Sequence, residues 1–496
     1  MAKTVATPID AYEAKYPLWK KCRAVCGGEH QVKEHDLVVT DESNFLIPFS
    51  PSMTQDQYDF LKREAELPGI SAQFSRMLVG GLLRKKPIVE LPDNAPAGAV
   101  DWINNEFAAD DSSISSFLDL CLWEEVQTSR AWLFVTYPEL EKDENGEFIE
   151  PGPDDARRPY PILYPGEVVI NWKMASGKNG KEQLVMAIVA VLEEAAGKSE
   201  FHDEIVQKFL VHELVNGIYQ VRKFAYDKKK KEWYEEDVTI PLKQSKPLNY
   251  IPGWPLNGSI EPVDPLLLTI VNKEIALYNK LTRRNHLLYG AATYTPVLKS
   301  DMDDTDFNKV VNAGLGSWVK IGKDDELTTL ETPTEALSDL ETAIANGIEE
   351  IAKLGIRMLT PETDQSGVAL HLRNAAQTAQ LGTLNAKISV IMKQVICMML
   401  NWRYGTEYTA NEIVFELSDD FSQTPLGADW VRLATEWYEN GYIPRSVWLI
   451  VLRQNDMLPP DYDDVEGQKE IDEERKTRDE FQTYSDTLEG GDDVTE

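Results

Sequence analysis

The chain has 496 residues, of which 42 % are hydrophobic and 12 are tryptophan, so it can form roughly two to four folded modules and is too apolar to be disordered throughout. Its formal charge of −33 comes from 83 acidic and 50 basic side chains. This charge excludes the broadly basic surface with which proteins grip nucleic acid, because an acidic surface repels phosphate. Acidity that serves only solubility remains an open alternative.

The sequence predicts neither a membrane span nor a secretion signal. The longest purely apolar run, residues 184–192, is far shorter than the roughly 20 residues that a spanning helix needs. Residues 1–4 do not begin an apolar stretch with a small-residue cleavage site. We therefore expect assembly in the cytoplasm, with the four cysteines as free thiols because they are few and scattered.

Two short patterns superficially suggest zinc. Cys22, Cys26, His30 and His35 form a Cys-x3-Cys-x3-His-x4-His run, but a zinc finger separates its two pairs by about 12 residues. The pair His212-Glu213 lacks the second histidine of a zinc protease, since Asn216 stands in its place. Ordinary helix, loop and strand positions are the favoured interpretation, and we predict no metal and no cofactor.

The first half of the chain predicts helices followed by a β module. Two helices between residues 55 and 81 break at Pro68-Gly69, a short strand covers 88–91, helical patterning covers 101–130, and 131–137 form a buried strand. Residues 139–159 are an acidic loop rich in proline and glycine. Antiparallel strands are predicted at 167–172, 183–192, 205–213, 218–225 and 232–240, with Asn216-Gly217 as a turn. The β module spans 161–242.

A long amphipathic helix begins at Asp264-Pro265 and continues to about residue 289. Lys273, Lys280 and Arg284 share one of its faces, either as a functional basic stripe or simply as a solvated one. Residues 290–331 form a mixed insert with strands at 294–299 and 317–321. Its acidic run at 301–306 does not fit a calcium loop.

A second long helix begins at the capping box of residues 332–335 and extends to 358. A polar loop at 360–367 leads into a third helix over 368–402. A strand at 412–417 and helices at 426–439 and 445–454 follow. The segment 461–496 carries 15 acidic and 4 basic residues, a composition typical of disorder beyond a short helix.

No recognised catalytic motif occurs. Residues 80–86 lack the second glycine and the hydroxyl residue of a phosphate-binding loop. Carboxylates are so abundant that no pair stands out as a general acid and base. The sequence therefore predicts a protein that is not an enzyme, with an intracellular enzyme using an unrecognised carboxylate site as the less favoured alternative.

Several short blocks, in order, resemble a known family. They are Gly80-Gly81-Leu82-Leu83-Arg84-Lys85-Lys86-Pro87 with 89–92, then 158–160, 164–167 and 171–172, then 265–267, 277–279 and 296–298, and finally 441–444 with 457–460. Together with the order helix, small insert, helix, loop and long helix, they make residues 50–460 similar to the portal proteins of tailed bacteriophages. This family was formerly catalogued as a domain of unknown function.

The resemblance implies an α+β, mainly helical portal fold with wing, stem, clip and crown. Residues 1–40 would be an N-terminal arm without assignment, 41–261 the wing, 262–289 and 332–358 the two stem helices, 290–331 the clip, 359–367 the tunnel loop, 368–425 a long wing helix and strand, and 426–496 the crown with its acidic tail. The tunnel loop facing DNA would comprise Thr360, Pro361, Glu362, Thr363, Asp364, Gln365, Ser366 and Gly367. Stem residues facing DNA would be Lys273, Lys280 and Arg284, and Asp301, Asp303, Asp304, Asp306, Trp318 and Lys320 of the clip would bind a head-tail adaptor.

It also implies a homo-oligomeric ring of about twelve subunits at one capsid vertex, through which double-stranded DNA is packaged and ejected. The expected partners are that DNA, a terminase, a head-tail adaptor, and the major capsid and scaffold proteins, with no membrane. The expected location is the virion, after assembly in the host cytoplasm. Another ring-forming virion connector is the alternative.

Overall fold

A computed structural model shows an α+β fold, mainly helical, with antiparallel sheets, as predicted. It describes residues 3–38, 54–138, 157–177, 180, 182–199, 202–244, 246–292, 295–299, 303, 326–330, 335–354, 367–417 and 428–442, together with a few positions between 444 and 473. The chain divides into two compact units, residues 1–419 and 420–496. All the sites considered below lie in the first unit.

Four helices open the chain: α1 (Asp10–Gly27), α2 (Glu29–Val38), α3 (Gln55–Glu64) and α4 (Ile70–Leu82). The predicted break at Pro68-Gly69 is confirmed, and Gly69 adopts a left-handed φ of 73° immediately before α4, which suits a residue without a Cβ. Helix α1 buries Trp19, Cys22 and Cys26 and packs against α4 and two later helices. The N-terminal residues that the sequence left without assignment thus contribute to the core.

The predicted helix over 101–130 is wrong in its continuity. Two helices occur instead, α5 (Ala99–Asn105) and α6 (Ile114–Thr128). Between them Asp111 has a φ of 60°, and Ser113 caps α6 by accepting a hydrogen bond from the amide of Ser116. The polar segment 110–113 supplies a turn and a new N-cap, and these outweigh the helical spacing of the apolar residues around it.

A small antiparallel sheet lies at the centre of the first unit. Strand β2 (Ala131–Thr136), almost entirely buried, pairs with β3 (Tyr160–Pro165) on one side and with the later β11 (Gly253–Pro255) on the other. At Gly253 an added Cβ would lie 2.4 Å from the ring of Phe134, so only glycine allows β11 to approach this closely.

The predicted β module is confirmed as a five-stranded antiparallel meander. Its strands, in both spatial and chain order, are β4 (Val169–Ser176), β5 (Glu182–Ser199), β6 (His202–Val215), β7 (Ile218–Asp227) and β8 (Glu232–Thr239). The turn between β6 and β7 is Asn216-Gly217, as predicted, with φ of 54° and 79°. Positive φ at both positions is typical of the tight turn that matches the twist of a hairpin.

The remaining elements include the predicted long helices in their predicted order, together with three short strands that were not predicted. In chain order they are β1 (Ile88–Glu90), β9 (Leu242–Lys243), β10 (Lys246–Pro247), α7 (Leu268–Ala292), β12 (Thr295–Lys299), β13 (Glu326–Leu330), α8 (Glu335–Lys353), α9 (Gly367–Tyr404), a 3-10 turn (Ala410–Glu412), β14 (Val414–Glu416) and α10 (Ala428–Glu439). Strand β1 pairs with β14, and β9 pairs with β10. The first part of the predicted strand at 412–417 is a 3-10 turn, because Thr409 and Glu412 form a capping box. Residues 317–321, predicted as a strand, lie outside the described residues. Strand β12 pairs with β13.

One segment of α9, Gly382–Tyr404, is long and apolar enough to cross a membrane by length and composition alone. More than half of its most apolar stretch is buried within the protein. Ile388, Met392, Val395 and Met399, at spacings of three and four, are among the least exposed side chains. The segment has the features of a core helix, whose apolar residues face other parts of the same chain.

Candidate functional site: the α7 and α8 helix pair

Helices α7 and α8 form an antiparallel pair in which three contacts fix the register. Lys273 Nζ of α7 lies 2.5 Å from Glu350 Oε2 of α8. A Cβ placed on Gly347 would lie 3.6 Å from Leu277 Cδ1, and Lys280 Nζ donates a hydrogen bond of 3.0 Å to the carbonyl of Ala343. As residue numbers rise along α7 they fall along α8. The hairpin of β12 and β13 lies between the two helices in the sequence, where the antiparallel pair reverses.

Apolar burial holds the pair to the rest of the unit. Val271, Leu277 and Tyr278 of α7 are 0 %, 1 % and 1 % exposed, and Ile351 of α8 is 0 % exposed. Helix α7 packs on α1, α3 and α4 as well as on α8. Burying one such large apolar side chain contributes on the order of 1.5–3 kcal/mol. The pair is therefore a fixed part of the first unit.

The chain enters α7 through an anchored segment. Arg130, 0 % exposed, donates hydrogen bonds of 2.7 and 2.9 Å to the carbonyls of Ser259 and Ile260. Its guanidinium lies 4.7 and 4.6 Å from the ring centres of Trp132 and Trp172, so it makes a cation–π contact with each of two neighbouring indoles. Burial lowers the pKa of Arg130 to about 10. This buried cation joins β2, β4 and the approach to α7.

Glu274 fixes α7 against α4. Its side chain is fully buried and accepts hydrogen bonds of 2.7 and 2.6 Å from the backbone amides of Ile70 and Ser71. These amides belong to the first turn of α4, where N–H groups have no partner within their own helix. A carboxylate from α7 thus caps a second helix and interacts favourably with its dipole.

Lys273, Lys280 and Arg284 share one face of α7, as predicted, and this face lies beside α8. Lys273 pairs with Glu350, Lys280 bonds the backbone of α8, and Arg284 donates from Nε and Nη2 to Oδ1 of Asn285 at 3.2 and 3.0 Å. Lys280 and Arg284 are half-buried. Both interpretations of the three residues, a functional basic stripe and a simply solvated one, stay predictions.

Most other predicted site residues lie outside the described residues. These are Thr360, Pro361, Glu362, Thr363, Asp364, Gln365 and Ser366 of the predicted tunnel loop, and Asp301, Asp304, Asp306, Trp318 and Lys320 of the predicted clip. Gly367 is the first residue of α9, and Asp303 is exposed. The structure brings none of these residues into a described contact with Lys273, Lys280 or Arg284.

Sequence reasoning missed a separation of charge between the two helices. Residues 268–292 contain four lysines and arginines and one acid, a net charge of +3, whereas 335–353 contain five acids and one lysine, a net charge of −4. Lys273 and Glu350 use part of this complementarity within the chain. Counting charges over each predicted helix would have revealed it.

The residues of the two zinc-like patterns have other environments. Cys22 and Cys26 are buried in α1, and burial raises their pKa to about 12 and about 11. Burial lowers the pKa of His212 to about 3, and its Nδ1 lies 2.7 Å from the hydroxyl of Tyr219. In the described part of the chain, no three histidine, cysteine, aspartate or glutamate side chains are grouped to hold a metal ion.

Comparison with known proteins gives structural similarity alone. No family model matches the sequence, and no curated protein matches it. Among solved structures, the chain is similar to the neck of a native GTA particle, computed with C12 symmetry, at 10 % identity and a TM-score of 0.35, over 81 % of this chain and 95 % of the other. It is also similar to the neck of an empty GTA particle, computed with C6 symmetry, at 13 % identity and a TM-score of 0.40, over 82 % and 94 %. TM-scores this low do not establish a common fold or function, so the interpretation below rests on the residues and geometry of the chain.

Proposed function

We propose that this protein is the portal subunit of a tailed bacteriophage or a phage-like particle, and that copies of it form a ring through which DNA is packaged and ejected. The observation that supports this most is the antiparallel α7 and α8 pair, with the β12 and β13 hairpin at the reversal and the 38-residue α9 following. This is the element order that the sequence blocks lead us to expect of a portal. In the proposal α7 and α8 are the stem helices, and the hairpin belongs to the clip.

The charge of −33 determines how weakly the proposed ring binds DNA. An acidic wall repels phosphate, so the duplex can move without adhering. The basic helix α7 provides a sparse attraction, in which Lys273, Lys280 and Arg284 hold the duplex weakly and reversibly. Lys273 and Lys280 also bond to α8, so each would have to break this bond within the subunit in order to contact DNA. Such exchange keeps the hold weak.

The proposed partners of the ring are a terminase, a head-tail adaptor, DNA, and the capsid and scaffold proteins. Translocation of DNA needs energy, and the sequence has no phosphate-binding loop, so a separate terminase ATPase docks on the ring. The clip, with Asp301, Asp303, Asp304, Asp306, Trp318 and Lys320, receives the head-tail adaptor. The loop from Thr360 to Gly367 faces the DNA, and capsid and scaffold proteins surround the ring during assembly.

Negative-stain electron microscopy of the purified full-length protein tests the proposal. We expect a ring with a central hole wide enough for duplex DNA, with its mass confirmed by light scattering. A compact monomer or dimer would reject the ring and favour an intracellular enzyme. ATP hydrolysis by the purified protein alone would contradict the proposal that a separate terminase supplies the energy for DNA translocation. A ring that is absent from the capsid vertex of particles would favour a different virion connector.

A further inference from the structure

We propose that the exposed face of α7 in one subunit docks on the outer face of α8 in the next copy, with Arg283 meeting Glu341 and Ala276 meeting Ile348. This inference rests on the proposed ring, and it names the surfaces that close the ring. The α7 face is defined by Asn272, Ala276, Arg283 and His286, all exposed. The outer α8 face is defined by Glu341, Ala345, Ile348 and Glu349, also exposed.

These two faces are unused by the intramolecular pair. At 100° per residue, Leu277 and Lys280 point from α7 to α8, and Ala276 and Arg283 lie on the adjoining exposed arc, about 100° and 120° from Leu277. On α8, Gly347 and Ile351 face inward and the outer face points away from α7. One chain therefore cannot bring its own two faces together.

The charges and apolar groups on the two faces are complementary. Arg283 is the cation of the α7 face, and Glu341 and Glu349 are the carboxylates of the outer α8 face. Arg283 and Glu341 have no hydrogen bond or ion pair to any other residue that the structure describes. Ile348 is 49 % exposed, and this apolar side chain lies with Ala345 between Glu341 and Glu349.

The register places the matching groups at equal heights. Since Leu277 lies opposite Gly347 and Lys280 lies opposite Ala343, the antiparallel pair sets Ala276 level with Ile348 and Arg283 level with Glu341. Both Ala276 to Arg283 and Glu341 to Ile348 are steps of seven residues, nearly two turns along one face. Copies in a closed ring are related by rotation about its axis, so groups at equal heights meet when the helices follow that axis.

The contact is head-to-tail because it joins different faces of the two copies. Such heterologous contacts close into rings when the rotation between copies closes. An isologous contact would bring together two α7 faces, each with Arg283, or two outer α8 faces, each with Glu341 and Glu349, and like charges oppose this. The charge separation between α7 and α8 therefore favours a ring over a two-fold dimer.

Disulfide trapping tests the contact directly. The four native cysteines are buried, so a variant with Ala276→Cys and Ile348→Cys introduces the exposed thiols. Mild oxidation should give a ladder of covalent oligomers on a non-reducing gel, because the engineered residues of adjacent copies approach within disulfide range, a Cα separation below about 7 Å. Each single variant should give no ladder. The pair Asn272→Cys with Glu341→Cys is the matched control, since these positions differ by about 15 Å in height.

Charge exchange provides an independent test. Arg283→Glu alone and Glu341→Arg alone should each raise the protein concentration needed for half-assembly by roughly tenfold, and the double exchange should restore it. If the wild-type protein forms rings but the double-cysteine variant gives no ladder and both charge variants assemble normally, the α7 and α8 contact is wrong and the ring stands. If the wild-type protein forms no ring, the proposed function fails, and the contact fails with it.

Discussion

Arg130 is a buried cation whose surroundings account for its position. Its guanidinium contacts the rings of Trp132 and Trp172 and donates to the carbonyls of Ser259 and Ile260. An arginine has the planar, multi-donor head needed for both interactions at once, and a lysine does not. Arg130, the residue just before β2, thus holds in place the segment that contains Ser259 and Ile260 and leads into α7.

Replacing Arg130 with alanine should lower the free energy of unfolding by about 3 kcal/mol or more, because it leaves a cavity beside two indoles and leaves two carbonyls without their donors. Arg130→Lys should recover only part of this loss. Urea unfolding followed by tryptophan fluorescence measures both variants. Arg76→Ala, at an exposed position of α4, is the control and should change stability by less than about 0.5 kcal/mol. Equal effects at the two sites would contradict the anchoring role.

Glu125 should make stability depend on pH. Burial raises its pKa to about 8 from a usual 4.5, although the amide of Ala131 and the charge of Arg130 act in the opposite direction. Because the folded-state pKa is the higher one, the folded protein retains a proton between pH 4.5 and 8 that the unfolded chain releases, so stability falls as pH rises through this window.

Glu125→Gln removes this dependence, because glutamine does not ionise. The stability of the variant relative to wild type should increase with pH by up to about 1.4 kcal/mol per pH unit across the window. Urea midpoints at pH 5, 6, 7 and 8, with the slope of unfolding held common, measure it. Asp119→Asn, an exposed change on the same helix α6, should follow wild type at every pH. Parallel curves for wild type and Glu125→Gln would show that the carboxyl ionises alike in both states.

At the scale of elements, helix α7 connects three parts of the first unit. Its inner side packs on α1, α3 and α4, its basic side contacts α8, and Glu274 caps α4. The anchoring of α4 through a distant carboxylate means that loosening α7 should also loosen the first turn of α4. The arrangement holds the helix pair in one register.

Replacing Glu274 with alanine should therefore accelerate amide exchange at Ile70 and Ser71 more than at the C-terminal end of α4. The loss of a charged acceptor from two buried amides should cost about 2–3 kcal/mol. Hydrogen exchange measured by mass spectrometry on peptides covering α4 gives the comparison. Glu66→Ala, an exposed carboxylate just before the same helix, should leave the exchange unchanged, and protection that persists in Glu274→Ala would show that α4 does not depend on this cap.

At the scale of the whole molecule, a strongly acidic chain carries a basic helix beside an acidic one. In the proposed ring the acidic bulk keeps DNA from adhering, and the cations of α7 provide the limited attraction that remains. The same charge separation provides the surfaces that join neighbouring copies in the further inference. Both roles depend on the charges of α7 and α8 being segregated by helix.

Changing Lys273, Lys280 and Arg284 together to alanine should lower the fraction of particles that retain their genome while rings still assemble. Packaged DNA per particle, measured after mild heating, gives the readout. Lys228→Ala, Lys229→Ala and Lys230→Ala together, in the turn between β7 and β8, remove the same charge away from the helix pair and should leave retention unchanged. Normal retention in the first triple variant would reject the role of the basic face in holding DNA.

The sequence by itself determined the elements whose signals are local. The apolar periodicity of α7, α8 and α9, the strands of the β module and the turn at Asn216-Gly217 all follow from spacing and backbone preference over a few residues. The fold class follows from the same signals. The portal function suggested by the order of these elements stays a proposal that the ring experiments test.

Only the tertiary structure decided which distant groups meet. It placed α1 in the core, ended α5 where periodicity alone suggested a continuous helix, set Glu274 at the start of α4, and turned Lys273 and Lys280 toward α8. Local spacing fixes which residues share a face of a helix, but the partner of that face depends on how all the apolar surfaces of the chain pack together. That packing is a property of the whole chain and cannot be read from any one segment.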